Sequence, residues 1–296
     1  MADRLTTGII GLGLLGSVLA EKLLRHGTDV AGFDTRESQR EMLAAAGGTA
    51  CGSPGDVFEQ CGTVFLSLPN SDIVAAVVDE VSPQFASGQI VIDTTTGDPE
   101  QMISTGRRLG GFGVRYIEAT IAGSSSQLRS GTAVMFLGGS ADAIAAASPL
   151  LAAVAERRFH LGDAGAASRF KLVHNLVLGL HRAVLAEGLT FGEALGFAPS
   201  QVLEILRQTP AASAVMESKG RKMVERDFEA QARLSQHLKD VRLILSEAGK
   251  YDAATPLSER HRELLDRAVE LGYGDADNSA VIEAFRSRSS ERHRLT

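Results

Sequence analysis

Cysteine is scarce in this chain of 296 residues, with only Cys51 and Cys61 present. Two thiols so loosely spaced suit neither a metal site nor a disulfide framework, and a reducing cytoplasm is the expected setting. No Cys/His/Asp cluster has metal-ligand spacing, and neither a GxSxG nor an HExxH pattern occurs, so no metal is expected and hydrolase chemistry has no basis. Long apolar runs are missing as well. None approaches the ~20 residues of a membrane helix, and the first residues lead into a strand without a cationic region, apolar core or cleavage site. Neither export nor membrane association is expected. Positive charge is not in excess: 30 Lys and Arg face 36 Asp and Glu, a net charge of −6 that gives no basis for nucleic-acid binding. The one arginine-rich stretch, Arg286 to Arg294, reads as a solvated end. Internal repeats and low-complexity linkers are lacking too.

What is present is a globular composition, 44% hydrophobic and 22% charged, in a chain long enough for two cores. The first half alternates β-type runs with helical stretches. Strands are expected at Thr6 to Ile10, Asp29 to Phe33, Thr49 to Cys51, Thr63 to Leu68, Gln89 to Asp93, Arg115 to Thr120 and Thr132 to Leu137. This order predicts an α/β fold, a Rossmann-type doubly wound and mostly parallel sheet spanning residues 1–164. Ligands of such sheets bind beyond the carboxyl ends of the strands, where Pro69-Asn70, Thr94-Thr95-Thr96 and Ile121 to Ser126 lie. From about Gly165 the pattern turns helical. Residues 165–296 are expected to form a long bridging helix and an all-helical domain for substrate binding and oligomerisation. Ala166 to Phe191 is apolar nearly all round, which predicts a helix buried on most sides.

The first strand runs directly into Gly11-Leu12-Gly13-Leu14-Leu15-Gly16 and a helix. In a phosphate-cradling βαβ turn, the first glycine permits the tight turn, the second lets the backbone approach a pyrophosphate, and the third lets helix pack on strand. The anion would sit on the helix N-terminus. The second strand ends at Asp34, where an acidic side chain is expected on the adenosine ribose hydroxyls. That favours NAD over NADP, with Thr35 beside it adding no charge. Arg36 keeps NADP open.

Lys171, His174 and Asn175 share one face of the long helix, at i, i+3 and i+4. Desolvation, Lys239 and a cationic nicotinamide would each push the Lys171 pKa down, toward proton exchange with a substrate hydroxyl. Spacing alone leaves open a lysine that snorkels from a helix flank.

A further set of motifs runs along nearly the whole chain. Gly11 to Gly16 is followed by Leu68-Pro69-Asn70, Asp93-Thr94-Thr95-Thr96, Gly123 and Gly131-Thr132. Then come Gly162, Gly165, Lys171, Asn175, Lys239-Asp240 and Gly274-Asp275-Ala276-Asp277-Asn278-Ser279-Ala280. In this the chain resembles the β-hydroxyacid dehydrogenases, the family of 3-hydroxyisobutyrate dehydrogenase and tartronate semialdehyde reductase. The resemblance implies hydride transfer between a nicotinamide and a small 3-hydroxy acid or semialdehyde, and a homodimer or homotetramer. It makes Lys171 the general acid/base, with Asn175 orienting the reacting oxygen. Lys239 would lie near substrate and nicotinamide, and the Gly123-Ser124 backbone would hold a substrate carboxylate.

The departures from the family pattern bear on substrate. Where the family reads Asp-Ala-Pro-Val-Ser-Gly-Gly, this chain reads Glu118-Ala119-Thr120-Ile121-Ala122-Gly123-Ser124, so a serine hydroxyl is lost at Ala122. Ser124, Ser125 or Ser126 would have to supply it, or else are solvated turn residues. His174 replaces the first of two asparagines, and Ala232 and Gln236 stand where phenylalanine and leucine are usual, which implies a roomier and more polar site. His237 falls on a different helix face from Lys239 and is not expected to be catalytic. Asp240 reads equally as an ion-pair partner or a cofactor-facing group. Two rival readings remain: a non-catalytic dinucleotide-binding sensor, and a relative that reduces a non-standard carbonyl or an imine.

Overall fold

The structure of the protein, a computed structural model, describes residues 6–286. Strand β1 (Thr7–Ile10) is buried along its whole length, as a parallel strand covered by helices on both faces must be. With β2 (Val30–Phe33), β3 (Thr49–Ala50), β4 (Thr63–Leu66), β5 (Ile90–Asp93), β6 (Arg115–Ala122), β7 (Val134–Gly138) and β8 (Arg157–His160) it forms one sheet, in the order β3-β2-β1-β4-β5-β6-β7-β8. Neighbouring strands are parallel except β6 and β7. The chain winds one way from β1 to β3 and the other way from β4 onward, so β1 and β4 flank the switch point at which such sheets bind ligands.

Strand alternation divides the apolar residues between two cores. Ile9, Phe65, Ile92 and Ile117 point to one face, where Leu19 and Leu23 of α1 (Gly16–Arg25) and Leu151 of α7 (Ala141–Val154) cover them. Ile10, Val64, Leu66 and Val91 point to the other. There they meet Phe58 of α3 (Pro54–Gln60), Val74 and Val78 of α4 (Ser71–Glu80) and Met102 of α5 (Pro99–Gly111). Helix α2 (Glu37–Ala45) adds Leu43, and α6 (Ser125–Arg129) adds Leu128. Side chains start several of these helices: Ser53 and Asp56 form a capping box on α3, and the Asp98 carboxylate accepts the Glu100 and Gln101 N–H groups of α5. Each such cap stabilises its helix by about 1 kcal/mol.

Strand β8 was not among the expected strands. Arg157-Arg158-Phe159-His160 has no buried alternation, and the structure gives the reason: the segment is the sheet edge, with Arg157, Phe159 and His160 exposed. An edge strand has a solvated flank and tolerates charge.

One compact unit runs to Lys171 and a second begins at Leu172. Helix α8 (Ala166–Ala194) crosses this division. The second unit continues with α9 (Pro199–Arg207), a π turn at Met216–Gly220 leading into α10 (Arg221–Glu225), α11 (Leu234–Lys250) and α12 (Pro256–Ala268). Its core gathers Leu185, Leu189, Met223, Leu238, Val241, Leu265 and Val281. Asp277, wholly buried, ties this unit together by accepting from Lys219 Nζ (2.8 Å to each oxygen), the N–H groups of Gln231, Ala232 and Ser279, and the Ser279 hydroxyl.

Helix α8 departs from the expected burial on most sides. Leu172, Ala183, Leu185 and Leu189 are buried, but Val173 (56% exposed), Val177 (47%), Val184 (67%) and Phe191 (64%) form an open stripe at heptad-like spacing. An apolar circumference reports only that α8 has apolar neighbours to satisfy, and a single copy of the chain satisfies one flank. Of the arginine-rich end, everything after Arg286 lies outside the described residues. Among the described residues no helix is long and apolar enough to cross a membrane, and no group of three or more His, Cys, Asp or Glu could hold a metal ion.

Candidate active site

The glycine turn after β1 divides its work among its three glycines. Gly11 takes a positive φ of 92°, and a Cβ there would collide with the Ser67 carbonyl. A Cβ on Gly16 would enter the Gly11 carbonyl oxygen, so α1 can start this close to β1 only without a side chain at that position. Gly13 faces open space, its nearest neighbour being Arg36 Nη2 at 3.9 Å from a would-be Cβ. The residue before α1, Leu15, offers no side-chain cap. The Ser17 and Leu19 N–H groups donate to the Gly13 and Leu15 carbonyls (3.0 Å each), no side chain of Leu15 covers the helix end, and a pyrophosphate fits there electrostatically. Leu12 is buried and Leu14 exposed.

Asp34, at the carboxyl end of β2, is 8% exposed. Its Oδ2 accepts the Leu12 N–H (2.8 Å), and its Oδ1 accepts the Arg36 N–H (2.9 Å) and Arg36 Nε (3.3 Å). Burial opposes its ionisation, but these backbone bonds and the Arg36 guanidinium outweigh it and hold the pKa below the ordinary value. Asp34 thus ties the glycine turn to the end of β2, with Thr35 exposed beside it.

The loops after β4 and β5 meet through Thr95. Its hydroxyl accepts the Leu68 N–H (3.2 Å), and its own N–H donates to Asp93 Oδ1 (2.9 Å). Pro69 follows, exposed, and Asn70 caps α4 by accepting the Ile73 N–H (2.9 Å). Asp93 is completely buried, and its Oδ2 accepts from the Tyr116 hydroxyl (3.0 Å). Burial pushes the Asp93 pKa up to about 6 against the Thr95 and Tyr116 bonds, and the Glu118 charge adds to the rise.

Glu118 and Asp93 are register partners on β6 and β5. Glu118 Oε1 accepts the Gly165 N–H, and Oε2 accepts the Ser168 N–H (2.9 Å) and hydroxyl (3.0 Å), so the carboxylate sits on the N-terminus of α8. Burial raises its pKa despite these bonds. Lys171, in the second turn of α8 and 7% exposed, donates from Nζ to the Ile121 carbonyl at 2.5 Å. The first unit thereby brings Lys171 to the end of β6, where Ala122, Gly123 and Ser124 follow. Ala122 is buried among Phe136 and Ala167. The Ser124 N–H is accepted by Gln127 Oε1 (2.9 Å), and the Ser124 hydroxyl accepts the Gln127 N–H (3.3 Å), a capping box on α6.

In the second unit, Asn175 and Lys239 come together on Asp240. Asn175 Nδ2 donates to Asp240 Oδ2 (2.9 Å), and Lys239 Nζ lies 3.1 Å from Oδ1. Of the two readings of Asp240, the ion pair is the one seen. His174 is half-buried. His237 turns away from Lys239 to pack against His261, ring centroids 5.2 Å apart. Glu118, Asp93 and Arg182 escaped sequence reasoning as contributors. The available signal was a charged residue inside an otherwise apolar segment: Ile90-Val91-Ile92-Asp93, Tyr116-Ile117-Glu118-Ala119 and, on α8, Arg182, which is buried near Asp277 and Asp240.

Comparison with known proteins gives consistent matches over nearly the full length. The family model described as the NAD binding domain of 6-phosphogluconate dehydrogenase matches residues 6–162, and that described as NAD-binding of NADP-dependent 3-hydroxyisobutyrate dehydrogenase matches residues 165–285. L-threonate dehydrogenase from Cupriavidus necator is 30% identical, over 94% of this chain and 95% of that protein. 2-(Hydroxymethyl)glutarate dehydrogenase from Eubacterium barkeri is 28% identical over 96% of each. The crystal structure of a 3-hydroxyisobutyrate dehydrogenase from Salmonella typhimurium superposes with a TM-score of 0.88 at 24% identity, covering 94% of this chain and 99% of that one.

Proposed function

The chain belongs to the β-hydroxyacid dehydrogenase family, and from that premise we propose that it interconverts a small 3-hydroxy acid and its semialdehyde, with Lys171 as general acid/base. The observation that carries this reading is the placement of Lys171 Nζ, buried and held on the Ile121 carbonyl directly before Ala122-Gly123-Ser124. A bound nicotinamide would supply the hydride acceptor for oxidation of the carbinol carbon and the hydride donor for reduction. Lys171 takes the hydroxyl proton as a neutral amine and becomes an ammonium as the C=O bond forms; in reduction it returns that proton. Asn175, its Nδ2 turned toward Asp240, orients the reacting oxygen. Lys239, paired with the same carboxylate, and His174 face the substrate. The Gly123-Ser124 backbone receives the substrate carboxylate, which replaces the Gln127 side chain on the Ser124 N–H. Ala122 and Ala232 widen the site, and Gln236 and His174 give it polar groups.

The dinucleotide is held by residues 1–164. Its pyrophosphate would be held by Gly11 to Gly16, its adenosine ribose by Asp34 and Thr35, and its nicotinamide half by Leu68, Pro69, Asn70 and Thr95; Lys239 is a further proposed contact of the dinucleotide. The Asp34 carboxylate favours NAD, since the phosphate of NADP would meet a second negative charge. The open stripe on α8 supports a homodimer or homotetramer, and the reduced, buried Cys51 and Cys61 accord with a cytoplasmic setting.

The test is nicotinamide absorbance at 340 nm across a panel of 3-hydroxy acids and semialdehydes, with NAD(H) and NADP(H) in parallel and Lys171→Ala as the control. Turnover that falls by orders of magnitude in Lys171→Ala while NAD binding is retained is the expected result. Near-normal turnover in that variant refutes the role of Lys171. Silence of the wild type across the panel, with NAD bound, favours the sensor reading.

A further inference from the structure

We infer that Glu118 is a positioning residue for Lys171: its buried carboxylate fixes the first turns of α8, and so fixes where the Lys171 amine stands. This rests on the reading of Lys171 as the acid/base. Strand β6 holds α8 at two points one after the other. Glu118 takes the Gly165 and Ser168 N–H groups and the Ser168 hydroxyl, and three residues further along β6 the Ile121 carbonyl takes Lys171 Nζ. The N-terminal N–H groups of a helix have no partners of their own, and an anion placed on them is favoured by the helix dipole. Most helices take this cap from the residue just before them. Here it comes from a strand forty-seven residues away in sequence for Gly165 and fifty for Ser168, so the cap also sets the distance between α8 and β6. Lys171 lies on the turn after Ser168, and a helix is stiff over such a span. A shift at Gly165 and Ser168 is therefore transmitted to Nζ with little attenuation.

The substitution Glu118→Gln separates this role from simple space filling. The amide keeps the volume and one acceptor oxygen for Ser168, but presents its NH2 to the Gly165 N–H, donor against donor. The expected result is a loss of kcat between about 10-fold and 100-fold, the range for a misplacement of about 1 Å, with KM and NAD binding changed by less than about threefold. Glu118→Asp, which keeps the charge with a shorter reach, should recover part of the loss. Ser168→Ala, which removes one bond of three, should give a smaller loss of the same kind and guards against a Glu118→Gln chain that does not fold. The deciding measurement is a double-mutant cycle with Lys171→Ala. A residue that acts through Lys171 adds nothing once Lys171 is gone, so the double variant should match Lys171→Ala within about threefold. Losses that multiply would overturn the inference. A second readout does not need turnover: peptide-resolved acylation of lysines by mass spectrometry should label Lys171 at least threefold faster in Glu118→Gln, with exposed lysines unchanged. Unchanged Lys171 labelling would likewise overturn the inference. If the wild type turns over no hydroxy acid while this labelling still rises, the proposed reaction fails and the positioning of Lys171 by Glu118 stands.

Discussion

Replacing Asp93 by asparagine should change how the stability of the first unit depends on pH. Asp93 is wholly buried, and its pKa moves from 3.8 to about 6 chiefly because burial penalises the charged form. The folded chain thus binds this proton more tightly than the unfolded chain. As pH rises from about 4 to about 6 the unfolded chain releases the proton first, so the free energy of unfolding falls across that window and stays lower above it. A displacement of that size corresponds to about 3 kcal/mol at neutral pH. The amide that Asp93→Asn introduces cannot ionise. Its oxygen can still accept the Thr95 N–H, and its NH2 can donate to the Tyr116 oxygen. Relative to wild type, Asp93→Asn should therefore gain about 3 kcal/mol between pH 4 and pH 7.5, or roughly 6 to 12 °C in Tm for a unit of this size. Calorimetric melts of both proteins over that range give the answer, and the carboxylates that do not interact with Asp93 cancel in the comparison. Equal pH slopes for the two proteins would refute the argument that desolvation dominates at Asp93.

Three other perturbations have defined outcomes. Gly16→Ala drives a Cβ into the Gly11 carbonyl oxygen; fluorescence titration should show NADH affinity falling at least tenfold, and unchanged affinity would contradict the geometry of the turn. Lys219→Ala leaves the wholly buried Asp277 without its ion-pair partner; loss of such a partner costs about 3–5 kcal/mol, so urea unfolding should move to a much lower midpoint, and a change below about 1 kcal/mol would remove the pair from the account of the second unit. Val184→Asp puts a charge on the open stripe of α8; light scattering should report a smaller assembly than wild type, and an unchanged mass would detach the stripe from oligomerisation.

The parts of the fold that could be read from sequence are those in which local chemistry and tertiary demand agree. Val64, Leu66 and Val91 stand in short apolar runs because both faces of a central parallel strand are covered, and the glycine turn marks itself by the positions where a Cβ cannot fit. Strand β8 could not be read, because Arg157 and Arg158 are acceptable only to an edge and edge position is set by the whole sheet. The π turn at Met216–Gly220 is a single turn that leaves no periodic signature. Lys171, Asn175 and Lys239 stood out as polar residues in patterned surroundings. Glu118, which supports Lys171, did not, and Asp240 left two readings open, because the partners of these carboxylates lie far off in sequence: forty-seven residues for Glu118 and Gly165, sixty-five for Asn175 and Asp240.

The Thr95 hydroxyl joins the loop after β4 to the loop after β5, and Asp93 anchors the same residue from beneath. The two loops are in effect one stitched hem. A relative that diverges by exchanging either loop alone tears that seam, whereas one that exchanges both, with Asp93 and Tyr116 left in place, keeps it. Reshaping the nicotinamide end of this scaffold therefore has a natural unit of transplantation, the pair of loops, and a chimera that respects that unit should fold where its single-loop counterpart frays.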